Sequence, residues 1–126
     1  MLLNTKSLLV VTAFIELGAG ILLLVAPSLA SQILLGAGLG SPEAALVARI
    51  GGAALLSIGL VCWLGRNHDR KQAIGLVAGL LVYNAAVVVL LLYAGMVAKM
   101  PGVGIWPATG LHSALLIWCA ARLRLE

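Results

Sequence analysis

The sequence predicts an all-α, polytopic membrane protein: a bundle of four transmembrane helices with both chain termini in the cytoplasm. Of its residues, 63% are hydrophobic and only 10% are charged, whereas a soluble domain has roughly 45–50% apolar and about 25% charged residues. A helix needs about 20 mostly apolar residues to cross the hydrocarbon layer of a membrane. The 126 residues therefore accommodate four crossings and short connections, which predicts one transmembrane domain over residues 1–126.

The first predicted helix covers residues 7–26 and ends at Pro27. Its apolar run exceeds the 7–15 residues, about two to four helical turns, of a signal-peptide core, so we expect it to be retained. The following segment, residues 27–41, is rich in Gly, Ser and Ala and is too short to cross again. We expect it to form a short amphipathic helical turn at the membrane interface.

Three further helices follow. Ser41, Pro42 and Glu43 are typical of a helix start, because Ser caps the first N–H groups, Pro suits the first position and the helix dipole favours an anion. The second helix is predicted over residues 42–64, and the polar loop 65–71 separates it from the third, over residues 72–95. After a Pro- and Gly-containing loop, the fourth helix is predicted over residues 105–123.

The distribution of basic residues predicts the orientation. The net charge is +4, but the cations are scattered between helices, which argues against a nucleic-acid partner. Apart from Arg49, six of the seven Lys and Arg residues fall at the termini or in the 65–71 loop, and only Lys99 falls on the other side. By the positive-inside rule, the side with six is cytoplasmic. Because the composition is so strongly apolar, the predicted partner of the protein is the lipid bilayer. Its predicted location is the plasma membrane, which the chain would cross several times.

Small residues recur at spacings that suit close helix contacts. Gly75 and Gly79 form a Gly-x-x-x-Gly pattern in the third helix, and Gly52 and Gly59 lie on the second. Helices in lipid associate by close packing, which small residues permit. These glycines predict contacts inside the bundle, with a homodimer or another membrane protein as an alternative partner.

Every predicted helix also carries polar or amphipathic side chains near the membrane centre or its outer half. Ionisable groups at this depth cost at least about 2.5–3.5 kcal/mol each on insertion scales, so they should face the bundle and find partners. We expect Glu16 and Arg49 to form an ion pair. The predicted site lies in the outer half of the bundle and consists of Glu16, Arg49, Tyr83, Asn84, Trp106 and His112.

These residue types leave several functions open. The first is a binding site for a small lipidic or quinone-like ligand; the second is an enzyme that uses Glu16 and His112 as acid and base on a lipid-soluble substrate, since such pairs transfer protons. A third is an accessory subunit in which the polar network is purely structural. No catalytic residue is assigned. No metal site is predicted, because Cys62 and Cys119 lack zinc-ligand spacing, and we expect both thiols to be reduced.

Short motifs add a resemblance. Arg49-Ile-Gly51-Gly52, a later Gly59-Leu, and Glu16-Leu-Gly in the first helix resemble the small DoxX-like bacterial membrane proteins. The resemblance implies a four-helix bundle in a bacterial inner membrane and, for some members, thiosulfate- or quinone-linked redox partners. No cofactor is assigned to this chain beyond a quinone or other lipidic ligand.

The position of Glu16 in the first helix is also similar to that of the glutamate of the small multidrug resistance transporters. This similarity implies a proton-coupled transporter as a further alternative. Two features depart from that family: Arg49 is expected to neutralise the glutamate, and the charge bias argues against insertion in two orientations.

Overall fold

The computed structural model describes residues 4–125, which are helical apart from short connections and contain no β-strand. Five helices follow one another along the chain. Their bounds are α1, Thr5–Val25; α2, Pro27–Leu35; α3, Pro42–Gly65; α4, Arg70–Leu92; and α5, Ile105–Leu125. A π-helical turn, Tyr93–Val97, extends α4. The all-α prediction is confirmed, and each long helix lies within a few residues of its predicted bounds.

Three of the helices are long and apolar enough to cross a membrane: Thr5–Val25, Pro42–Gly65 and Arg70–Val97. Three of the predicted crossings thus correspond to helices of suitable length and composition, which are candidate membrane spans. The helix α5 has 21 residues but falls outside this group. The fourth crossing and the cytoplasmic position of the termini stay predictions.

Side chains cap the starts of the three candidate spans. Asn4 accepts a hydrogen bond from the Ser7 N–H at 2.7 Å, and Asp69 accepts one from the Gln72 N–H at 3.0 Å. Ser41 accepts one from the Ala44 N–H at 3.1 Å, immediately before Pro42. The predicted start of α3 is therefore confirmed, and its cap satisfies an N–H that the helix itself leaves without a partner.

The long helices pack as two antiparallel pairs, α1 with α3 and α4 with α5. Glycines bring α1 and α3 close together: a Cβ on Gly20 would lie 2.7 Å from the Gly52 carbonyl oxygen, and a Cβ on Gly52 would lie 2.9 Å from that of Gly20. The predicted packing role of Gly52 is therefore confirmed. The helix α3 makes far fewer contacts with α4, although the two are consecutive.

Near the termini the two pairs meet in an apolar core. We call this the terminal end; the opposite end, where α2 lies, is the far end. Thr5 in α1 accepts a hydrogen bond from Arg122 in α5 at 3.2 Å, which places the start of α1 beside the end of α5. The core consists of Leu8, Leu9, Ala13, Cys62, Val77, Leu80, Leu115 and Cys119.

At the far end α2 is fastened to the loop before α5. The Gly104 N–H donates to the Ile33 carbonyl at 2.9 Å. Gly102 lies so close to Leu34 that a Cβ would meet the Leu34 carbonyl oxygen at 2.0 Å, and Gly36 adopts a left-handed φ of 83° beside the same loop. Only glycine tolerates both the approach and the backbone conformation without strain.

Candidate functional site

Glu16 is the most deeply buried acid among the described residues, at 1% exposure. It lies near the middle of α1, far from either end of the helix. Its Oε2 accepts a hydrogen bond from the Tyr83 hydroxyl at 3.0 Å, whereas its Oε1 is buried and has no hydrogen-bond partner in the part of the chain described. Glu16 therefore keeps an acceptor atom that the surrounding helices do not satisfy.

Tyr83 connects Glu16 to a second hydrogen-bonded pair. Its ring packs edge-on against the His112 ring, with centroids 5.8 Å apart and planes at 81°. His112 Nδ1 lies 2.8 Å from Asn84 Oδ1. We call Glu16, Tyr83, Asn84 and His112 the polar cluster; it joins α1, α4 and α5 at one level of the bundle.

The hydrogen bonds of Asn84 define the state of the histidine. The Asn84 Nδ2 donates to the Leu80 carbonyl at 2.8 Å, so Oδ1 is the atom that faces His112. An amide oxygen only accepts hydrogen bonds, and His112 Nδ1 must therefore carry the proton. In a neutral imidazole this leaves Nε2 as an acceptor. The cluster thus offers a tyrosine hydroxyl, a carboxyl group and an imidazole nitrogen for binding a polar group or relaying a proton.

The structure places Arg49 away from this cluster. Arg49 is exposed and its Nε donates to the Leu24 carbonyl at 3.1 Å. No ion pair with Glu16 is formed among the described residues, so the expected pair is wrong. The reason is the register of α1 against α3, in which Gly52 lies opposite Gly20. Arg49 therefore lies opposite the end of α1, about 12 Å along the helix axis from Glu16.

Trp106 also lies apart, at the start of α5 near the far end. Its side chain is 54% exposed and its ring packs over Gly95, where a Cβ would come within 2.9 Å of Cζ2. The structure thus brings together four of the six predicted site residues, Glu16, Tyr83, Asn84 and His112, and separates Arg49 and Trp106 from them.

A groove between α3 and α4 leads to the cluster. It has a volume of about 370 Å³ and exists because these two helices do not pack closely along their length. Tyr83 lines it together with Gly75 and Gly79 of α4 and with Ser57 and Val61 of α3. A Cβ on Gly75 or Gly79 would meet nothing within 4 Å, so this Gly-x-x-x-Gly pattern borders open space rather than a contact with another helix of residues 4–125.

Sequence reasoning missed this groove and one further polar group. The spacing of Gly75 and Gly79 predicted a packed interface, because a small-residue pattern does not distinguish a helix partner from an empty surface.

Thr12 is the further polar group: it is fully buried and its Oγ1 has no hydrogen-bond partner within the described residues. Its position one turn before Glu16, on the same face of α1, is a signal that could have identified it.

The two cysteines belong to the core rather than to the polar cluster. Cys62 and Cys119 are both buried and free, and residues 4–125 contain no group of three or more His, Cys, Asp or Glu side chains placed to hold a metal ion. Buried free cysteines behave as small apolar side chains. Their structural role is packing.

No family model matches this sequence, and no curated protein or solved structure is significantly similar to it. The resemblance to DoxX-like proteins therefore stays a prediction.

Proposed function

We propose that this protein is a multi-pass membrane protein that binds a small amphipathic lipid of the quinone type. The tail of the lipid occupies the α3–α4 groove and its head group binds at Tyr83. One observation carries the proposal: the residue at which the apolar groove ends, Tyr83, also hydrogen-bonds a buried carboxyl group.

The groove suits an apolar tail. Its lining is almost entirely hydrophobic or small, with Ile58, Val61, Leu76 and Leu80 among the lining residues. Its volume of about 370 Å³ falls within the range of roughly 300–1,000 Å³ typical of small-molecule sites. Because it opens sideways between two candidate spans, a molecule dissolved in the membrane can enter without passing through water.

The polar cluster suits a small head group with few hydrogen-bonding atoms. A quinone head carries carbonyl oxygens, which accept hydrogen bonds, and its reduced form carries hydroxyl groups, which donate them. The Tyr83 hydroxyl lies at the end of the groove and donates to Glu16, so its oxygen is left to accept a hydrogen bond from a hydroxyl group of the reduced head. Behind it, Oε1 of Glu16 is a second acceptor without a partner among the described residues. Unpaired buried polar atoms are costly, and a bound partner relieves that cost.

This placement revises the position expected from the sequence, which put the site in the outer half of the bundle beside Arg49 and Trp106. The groove extends from Tyr83, near the middle of α4, towards Gly75, near the start of that helix. The proposed site therefore occupies the middle of the membrane and the half nearer the termini.

The membrane setting itself is supported by the surface of all four long helices. Phe14 of α1, Val47 of α3, Val82 of α4 and Ile117 of α5 are each between 67% and 70% exposed. Large apolar side chains spread over the outside of a bundle are favourable in lipid and costly in water. We propose that α5 is a fourth crossing, with Arg122 and Arg124 anchoring its end at the cytoplasmic surface.

The test is binding of a short-tailed ubiquinol analogue, which carries the reduced head group, to the full chain in a mild detergent. Gly79→Leu fills the groove, and we expect it to weaken binding at least about tenfold, the scale of 1.4 kcal/mol. Tyr83→Phe removes one hydrogen bond and should weaken binding about fivefold. Gly18→Leu is the matched control, since Gly18 also faces open space but lies on α1, outside the groove.

Two results contradict the proposal. One is binding that neither Gly79→Leu nor Tyr83→Phe reduces. The other is a wild-type dimer that Gly79→Leu converts to a monomer without changing binding of the analogue, which assigns the groove to a second copy of the chain.

A further inference from the structure

A second recess, at the terminal end, is lined by cations from four different parts of the fold. It has a volume of about 280 Å³ and is bordered by Lys6 of α1, Arg66 after α3, Arg70 of α4 and Arg122 of α5. None of the described residues that line it is acidic. Like charges repel, so a convergence of this kind is stable only where an anion or water screens it.

The positive-inside rule explains how many cations lie at this end but not why these converge. Lys71 and Arg124 lie at the same end, yet neither lines the recess. The nearest acid in sequence, Asp69, also lies outside the lining, and its carboxylate caps α4 through the Gln72 N–H. The recess is therefore a specific arrangement within a generally basic surface.

Two of the guanidinium groups have defined orientations. Arg66 stacks over the Trp63 ring, 3.9 Å from its centroid, and donates to the Trp63 carbonyl. Arg122 donates through Nε to Thr5 at 3.2 Å. A guanidinium group has five N–H donors, so the contact of Arg66 with Trp63 leaves others available, and an ordered group loses less entropy on binding than a mobile one.

Backbone dipoles add to this positive potential. The helix α1 begins at the recess, with Thr5 as its first residue and the neutral Asn4 as its cap, whereas the amino end of α4 is already occupied by the Asp69 carboxylate. The amino end of each helix carries about half a positive charge, which stabilises a nearby anion. Four cationic side chains and the amino end of α1 thus converge on a volume large enough for a phosphate group.

We propose that this recess binds a phosphate group, supplied by the head group of an anionic membrane phospholipid. The recess lies where three candidate membrane spans end, which is the depth of lipid phosphates in a bilayer. Leu9 and Ala73 also line it and offer an apolar contact for the glycerol end of the lipid. Basic recesses between helices at a cytoplasmic surface bind anionic head groups in this way.

The experiment is native mass spectrometry of the full chain in a mild detergent, titrated with phosphatidylglycerol or with phosphatidylcholine. Phosphatidylglycerol should bind at least about fivefold more tightly than the neutral lipid. Arg70→Gln and Lys6→Gln should each weaken its binding about fivefold, since one cation near the surface contributes about that factor. Lys71→Gln is the matched control: the same charge is removed from the neighbouring position, and binding should stay unchanged.

Competition with inorganic phosphate distinguishes the source of the anion. If millimolar phosphate leaves phosphatidylglycerol bound, the lipid is the ligand; if phosphate displaces it and binds alone with the same dependence on Arg70, the site is one for free phosphate. Equal binding of the two lipids by the wild type overturns the proposal, as does an equal effect of Arg70→Gln and Lys71→Gln. Gly79→Leu should not alter this binding, so failure here is separable from failure at the groove.

Discussion

At the scale of single residues, the partners of Glu16 decide how much a change in the polar cluster destabilises the protein. Its side chain is 1% exposed and its one hydrogen bond among the described residues comes from Tyr83. Hydrogen bonds between membrane helices contribute about 0.6 kcal/mol on average and at most about 1.7 kcal/mol. A buried acceptor that loses its donor adds a desolvation penalty.

Tyr83→Phe should therefore lower the free energy of unfolding by about 0.6–1.7 kcal/mol, because it leaves both oxygens of Glu16 without a donor. The measurement is unfolding by SDS titration in mixed micelles. Tyr93→Phe is the matched control, since Tyr93 is 59% exposed and should change stability little. Equal effects of the two tyrosine variants on the free energy of unfolding would show that the hydrogen bond between Tyr83 and Glu16 does not stabilise the protein.

A second prediction at this scale concerns Arg49. Because Arg49 binds the Leu24 carbonyl rather than Glu16, the effects of Glu16→Gln and Arg49→Met should be additive within about 0.3–0.5 kcal/mol. An ion pair would instead make the double variant markedly more stable than the sum of the single effects predicts. The same SDS titration, applied to the two single variants and the double variant, distinguishes these outcomes.

At the scale of helices, two neighbouring pairs differ in how closely they pack. The backbones of α1 and α3 approach so closely at Gly20 and Gly52 that no Cβ fits between them. The helices α3 and α4 leave a groove along Gly75 and Gly79. The same type of small residue thus produces a tight contact in one place and an open surface in another, according to whether a helix lies opposite.

Gly52→Ala should destabilise the protein by about 1–3 kcal/mol, because its Cβ would meet the Gly20 carbonyl and the Leu23 Cβ, both at 2.9 Å. Gly51→Ala is the control at the adjacent position, where a Cβ would meet nothing within 4 Å. Since Ala is the better helix former, that change should be neutral or stabilising by up to about 1 kcal/mol. Thermal unfolding in detergent compares the two variants with the wild type. A Gly52→Ala protein as stable as the wild type would contradict the close approach of Gly20 and Gly52.

At the scale of the whole molecule, the two ends of the bundle differ in composition and construction. The terminal end holds the apolar core and, beyond it, the cationic recess. The far end is closed by α2 and by the Gly102 contact with Leu34. This asymmetry predicts a single orientation in the membrane, with the cationic end in the cytoplasm.

Cysteine labelling tests this orientation in intact cells. In a chain carrying Cys62→Ala and Cys119→Ala, a cysteine introduced at Gly40, where a Cβ meets nothing within 4 Å, should react with a membrane-impermeant maleimide, and one introduced at His68 should react only after the cells are opened. Both positions are exposed, so accessibility within the fold does not limit the reaction. Labelling at position 68 in intact cells contradicts the orientation.

The sequence by itself determined the helices and the positions of the polar residues along them. Long apolar runs, Pro27 and the Ser41 cap are local signals, because a helix satisfies its hydrogen bonds within its own segment. Spacing from the helix ends predicted Glu16 and Asn84 near the membrane centre and His112 in the outer half, close enough to meet, and the structure joins them with Tyr83 in one cluster.

Only the tertiary structure decided which of these residues meet. The contact of Gly20 with Gly52 sets the register of α1 against α3, and that register directs Arg49 to Leu24 instead of to Glu16. The α3–α4 groove likewise depends on how the two helix pairs are placed against each other. Register and spacing between helices arise from contacts between residues distant in sequence, which periodicity along one helix does not encode.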